Sequence, residues 1–123
     1  MEEIQEAVRK FQKEMNGGIS ALVLLSVMGH AEKPMYGYQI AKHVESQTRS
    51  VDIMKQGALY PVLRSLESTG LLESEVEPSV SGPPRRYYQI TEFGRTTLNR
   101  WTGIWHQTKE FVDTVLQGGD DDK

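Results

Sequence analysis

Three groups of residues in this sequence have the types and spacing to do chemistry. The first is Arg85-Arg86, set behind Gly82-Pro83-Pro84 and followed by Tyr87-Tyr88 in the stretch SGPPRRYYQIT. Two guanidiniums at a stiffened turn suit phosphate oxygens or base edges, and they are equally at home on a solvated corner. The second is Tyr60, Arg64 and Ser65 in GALYPVLRSLESTG. Helical spacing puts them on one side, where a phenol, a guanidinium and a hydroxyl can bond a polyanion or simply face water. The third is Trp101 and Trp105, one helical turn apart, whose ordinary use is to bury a large apolar area in an interface.

Other chemistries find no support. The chain has no cysteine, which excludes disulfides, thiol catalysis and cysteine-ligated zinc or iron-sulfur sites. His30, His43 and His106 stand 13 and 63 residues apart, without metal-ligand spacing, so no metal is assigned. The row Glu73, Glu75, Glu77 lacks the glycine turn of a calcium loop. There is no Gly-x-Ser-x-Gly, no Walker loop and no His-Glu-x-x-His, so neither an enzyme nor a cofactor is expected.

The net charge of −3 argues mildly against a polyanion partner, but it is an average over unlike segments. Residues 78–100 hold four arginines against Glu92 alone, a local +3, whereas residues 101–123 hold two lysines against five acids, a local −3. The longest apolar run, ISALVLLSVMG, falls far short of the roughly 20 residues of a membrane span. The acidic start MEEIQE is unlike a signal peptide, and a soluble cytoplasmic protein without membrane contact is expected.

The elements that must position these groups follow from periodicity. Ile4, Val8, Phe11 and Met15 form one stripe of a first helix, which Gly17-Gly18 are expected to end. A second helix over about Ile19 to Met28 is apolar nearly all round and belongs in a core. MGHAEKPM reads as a loop, and YGYQIAKHVESQ as a short third helix with Tyr36 at its start. A fourth helix carries Leu59, Val62, Leu63 and Leu66 inward, with Lys55, Gln56 and Gly57 around its N-terminus. The period then becomes twofold in LLESEVEP and RRYYQIT, a β-hairpin with Leu72, Val76, Tyr88 and Ile90 facing the helices. Strand alternation turns Arg85 toward the glutamate row and leaves Arg86 as the freer of the two arginines. Thr91 caps a long last helix from about Glu92 to Leu116, whose seam through Leu98, Trp101, Trp105, Val112 and Val115 is heptad-like and asks for a second protomer. GGDDDK, within residues 118–123, reads as a disordered acidic tail.

Helices followed by a hairpin with a basic loop is the order of a winged helix-turn-helix. The stretches MYGYQI, QGALYPVLRSLESTGLLESE and SGPPRRYYQITEFG closely resemble the corresponding motifs of PadR-family transcriptional regulators, collinearly over about residues 19–100. The resemblance implies a dimeric repressor on an inverted repeat of double-stranded DNA, joined through its N- and C-terminal helices. It places Tyr36, Lys55, Gln56, Gly57, Ala58, Tyr60, Arg64, Ser65, Arg85 and Arg86 toward DNA, and Ile4, Val8, Phe11, Leu98, Trp101, Trp105, Val112 and Val115 in the dimer interface. In some drug-binding relatives a tryptophan of this last helix flanks a flat aromatic ligand, and counting from TEFG makes Trp105 the matching position, with Trp101 beside it. Two departures stand out: Ala58 replaces a commoner threonine, which removes one hydroxyl, and the C-terminal part is short, as in the compact subfamily.

The fold class expected is therefore mainly α with a small two-stranded antiparallel β-wing. Residues 1–16 and 92–117 are dimerisation helices around a winged helix-turn-helix over 17–91. The competing reading is a winged-helix module that contacts another protein and leaves the DNA surface unused.

Overall fold

A computed structural model describes residues 1–47 and 56–119. The elements run α1 (Glu2–His30), β1 (Met35–Tyr36), α2 (Gly37–Gln47), α3 (Gln56–Ser68), β2 (Leu72–Glu77), β3 (Arg85–Ile90) and α4 (Glu92–Leu116).

The expected break at Gly17-Gly18 does not occur, and α1 is one helix of 29 residues. Each glycine costs about 1 kcal/mol relative to alanine in a helix. Just beyond them Leu24, Leu25 and Met28 are fully buried, each worth roughly 1.5–3 kcal/mol. Tertiary burial outweighs the local penalty, so the boundary expected after residue 16 falls inside a continuous helix. The expected loop likewise shrinks, because Gly29 and His30 complete α1 and Met35 enters a strand.

That strand changes the sheet. Met35 pairs with Tyr88 and Tyr36 with Tyr87, so the expected two-stranded wing is a three-stranded antiparallel sheet in the order β1-β3-β2. Tyr36 accordingly lies in β1 and also stands, as expected, at the start of the next helix, immediately before Gly37 of α2. The Tyr36 backbone N–H is taken up by Gln39 Oε1 at 3.1 Å, half of a capping box that launches α2. Two residues carry no measurable period, and the strand could not have been read from alternation.

One core holds these elements. Leu24, Leu25 and Met28 of α1 meet Ile40 and Val44 of α2, Leu59, Leu63 and Leu66 of α3, and Leu71, Leu72 and Tyr88 of the sheet. Pro61 lies in the second turn of α3, where its ring removes one helix hydrogen bond, and the helix continues past it to Ser68. Leu72 and Tyr88 face the helices as expected, but Val76 is 51% exposed, because its end of the hairpin extends past the helices into solvent.

The turn into α4 is tied at several points. Thr91 Oγ1 donates to the Gly70 carbonyl at 2.7 Å and accepts from the Gly94 N–H at 2.9 Å, the N-cap expected for this residue. Gly94 is buried, and a Cβ there would run into the Leu71 carbonyl and Ile90. Arg95 Nη1 reaches the Gly29 carbonyl at 3.2 Å, a cation set against the C-terminal end of α1.

Candidate nucleic-acid interface

The apolar side of α3 is spent on the core, so its remaining side chains face outward. Ala58, Tyr60, Arg64 and Ser65 are all exposed. Gln56 and Gly57 open the helix, where free amides and the positive dipole end favour a phosphate. Lys55 lies outside the described residues.

Tyr60 is half-exposed, but it is not loose. A Cβ on Gly37 would meet the Tyr60 hydroxyl at 2.5 Å and its ring at 2.6 and 2.8 Å, so the phenol lies against the first residue of α2. Gly37 is thus part of the site, and the sequence signal for it is a glycine between two tyrosines at a helix start.

The two wing arginines have different surroundings. Arg85 is paired in register with Glu77, and its guanidinium lies 4.5 Å above the Tyr36 ring. Tyr36 meets Tyr87 edge-on at 5.4 Å. Arg86 is on the opposite face of β3. Its Nη1 donates to Ser74 Oγ at 2.9 Å, and Ser74 Oγ donates to Glu67 Oε2 of α3 at 2.5 Å. Arg85 is therefore held chiefly by a ring, while Arg86, the arginine expected to be freer, is hydrogen-bonded to Ser74 of β2 and through it linked to Glu67 of α3. Burial pushes the Tyr88 hydroxyl above its ordinary pKa, with Glu67 adding to the rise while Arg86 and Arg64 oppose it. Charged groups of both α3 and the wing thus act on one phenol.

A second region is apolar. Ile4, Val8, Phe11 and Met15 of α1 and Ile104, Phe111, Val112 and Val115 of α4 are all exposed. Where α1 and α4 cross, Phe11, Met15, Ile104 and Val112 line a cleft of about 800 Å³ with Trp101 and Trp105. Leu98 and Trp101 are half-buried against the chain's own core, so of the expected interface residues these two belong at least partly to the protomer interior. Trp105 is 38% exposed and also walls a neighbouring cleft of about 590 Å³ between α1, α2 and α4. His30, His43 and His106, remote in sequence, all line that second cleft. Among the described residues no group of histidines and acids is close enough to hold a metal ion. Nor is any helix among them long and apolar enough to cross a membrane.

An exposed helix and a basic wing on a three-helix, three-strand core define a winged helix-turn-helix regulator. Residues 24–100 match the model of the transcriptional regulator PadR-like family, and the chain belongs to that family. It is 34% identical over 92 residues to the transcriptional regulator Rv3488 of Mycobacterium tuberculosis, covering 74% of this chain and 76% of the relative. An uncharacterized protein of Lysinibacillus sphaericus is 28% identical over 104 residues, covering 85% and 93%. The crystal structure of a PadR family regulator from Eggerthella lenta superposes with a TM-score of 0.76 at 29% identity, over 94% of this chain and 97% of that one. The protein is accordingly a DNA-binding transcriptional regulator and not an enzyme. The reading as an interaction module that ignores DNA is set aside.

Proposed function

We propose that this protein is a homodimeric repressor that binds an inverted repeat, with α3 of each protomer in a major groove and the β2–β3 tip against the adjoining backbone. The observation that carries the reading is the outward face of α3: Tyr60, Arg64 and Ser65 stand exposed on a helix whose other side is fully used in the core. Arg64 has the reach for guanine O6 and N7, Tyr60 is suited to donate to a phosphate, and Arg85 and Arg86 extend the basic surface along the wing. Tyr36, Lys55, Gln56, Gly57, Ala58 and Ser65 complete the set.

Dimerisation is assigned to residues 1–16 and 92–117, where Ile4, Val8, Phe11, Val112 and Val115 are exposed. Two recognition helices then meet one face of the duplex about 34 Å apart, which requires a pseudo-palindromic site. The cleft beside Trp105 is the place for a flat aromatic effector. Such a ligand regulates only by binding two dimer geometries with different affinity.

The test is binding to DNA upstream of the protein's own gene at several salt concentrations. Binding to an inverted repeat, with affinity falling steeply as salt rises, is expected; no binding to any repeat there overturns the reading. For the effector, titrated flat aromatic drugs should quench tryptophan fluorescence. A Trp105→Ala protein that binds them equally well removes that part of the proposal.

A further inference from the structure

Glu67 presents a physical puzzle. It lies on α3 one turn beyond Arg64, beside the surface proposed to meet a polyanion, where a carboxylate repels phosphate. Its hydrogen bonding supplies a reason for it. Glu67 and Ser74 are both half-buried, Glu67 Oε2 accepts from Ser74 Oγ at 2.5 Å, and Ser74 Oγ accepts from the exposed Arg86 at 2.9 Å. The chain of bonds is anchored at its acid end and open at its guanidinium end. It joins α3 to β2 and β3 across a register in which Ser74 faces Tyr88 and Val76 faces Arg86.

We infer that Glu67 and Ser74 are positioning residues for DNA binding: the relay Glu67–Ser74–Arg86 locks the wing to α3 and holds the Arg86 guanidinium ready for a phosphate, beside Arg64. The inference rests on the DNA-binding reading above and adds to it two residues outside the expected DNA-facing set. An arginine fixed before binding loses less side-chain entropy when it meets its phosphate, and that gain offsets the repulsion from the acid that fixes it. Among the described residues one nitrogen of the guanidinium, Nη1, is bonded to Ser74, and the fork carries further donors for DNA.

The sign of a single substitution separates this role from simple electrostatics. If Glu67 only repels DNA, removing its charge tightens binding. If it positions Arg86, Glu67→Ala weakens binding despite the missing acid, whereas Glu67→Gln keeps an acceptor for Ser74 and binds at least as well as the unaltered protein. Ser74→Ala, which cuts the relay without touching any charge, should weaken operator binding about 3- to 10-fold. The slope of log K against log salt should stay unchanged, since Arg86 still reaches its phosphate. Arg86→Ala should reduce that slope by about 0.9 for each phosphate the arginine no longer neutralises. Thermal unfolding of each variant identifies any that loses affinity by unfolding. NMR of the Arg86 side-chain Nε–H without DNA should show greater mobility in Ser74→Ala.

Tighter binding by Glu67→Ala, or Ser74→Ala indistinguishable from the unaltered protein in both affinity and Arg86 mobility, overturns the inference while leaving DNA binding intact. Failure of the unaltered protein to bind any inverted repeat overturns the function itself.

Discussion

The two ends of α1 show how differently one chain can treat the same kind of residue. Near its C-terminus Leu24 and Leu25 are wholly inaccessible, whereas near its N-terminus Ile4 is 63% and Phe11 60% exposed. The same contrast recurs along α4, from Leu98 packed on the core to Phe111 at 68% exposure. Apolar stripes of similar strength are satisfied within the protomer at one end and left open at the other. Burial is thus complete where the DNA-reading elements are assembled and incomplete where two chains are proposed to meet. In the proposed dimer, such a division lets the spacing of the two α3 helices vary without disturbing either one.

Breaking the closed region should cost most. Leu63→Ala, at a fully buried position of α3, is expected to lower stability by about 2–5 kcal/mol, measured by denaturant unfolding. A drop smaller than about 1 kcal/mol would show that this core is loosely packed. Breaking the open region should leave the protomer folded and change its association. The pair Phe11→Ser and Val112→Ser is expected to weaken self-association about tenfold or more by sedimentation, with circular dichroism at high protein concentration nearly unchanged. A dimer that survives this pair places the interface elsewhere.

Smaller effects sharpen the comparison. Thr91→Ala removes the cap that joins the two regions and should cost about 1 kcal/mol, read as a lower Tm. Gly17→Ala lies in α1 between them, where an added Cβ meets nothing within 4 Å in the protomer. It should raise stability by about 0.5–1 kcal/mol. A fall in Tm instead would mean that a partner helix crosses closely at that point.

Most elements were legible because each carries a strong local signal. The stripe Leu59, Val62, Leu63, Leu66 marked α3, the alternation in RRYYQI marked β3, and Thr91 marked the start of α4. Two local readings failed for opposite reasons. Gly17-Gly18 look like a stop, yet distant leucines carry the helix through. Met35 looks like loop and Tyr36 like the start of a helix, yet β3 supplies the hydrogen bonds that make them a strand.

At the candidate site the residue types could be read, but not their attachments. Tyr60, Arg64 and the two arginines of the wing are visible from spacing, and so is the face of β3 on which each arginine falls. That Tyr60 rests on Gly37, that Arg85 lies over Tyr36, and that Arg86 is bonded through Ser74 to Glu67 are meetings of side chains from different elements, far apart in the sequence. Periodicity carries no information about such pairs.

By itself, then, the order of residues determined the helical and strand periods, the capping and turn positions, the basic segment and the family motifs, all of which depend on neighbours a few residues apart. Only the tertiary structure decided which apolar stripe is buried, whether two glycines end a helix, and which of two adjacent arginines is tied to α3. Those outcomes depend on what each side chain meets across the fold, where burial and hydrogen bonding outweigh local preference.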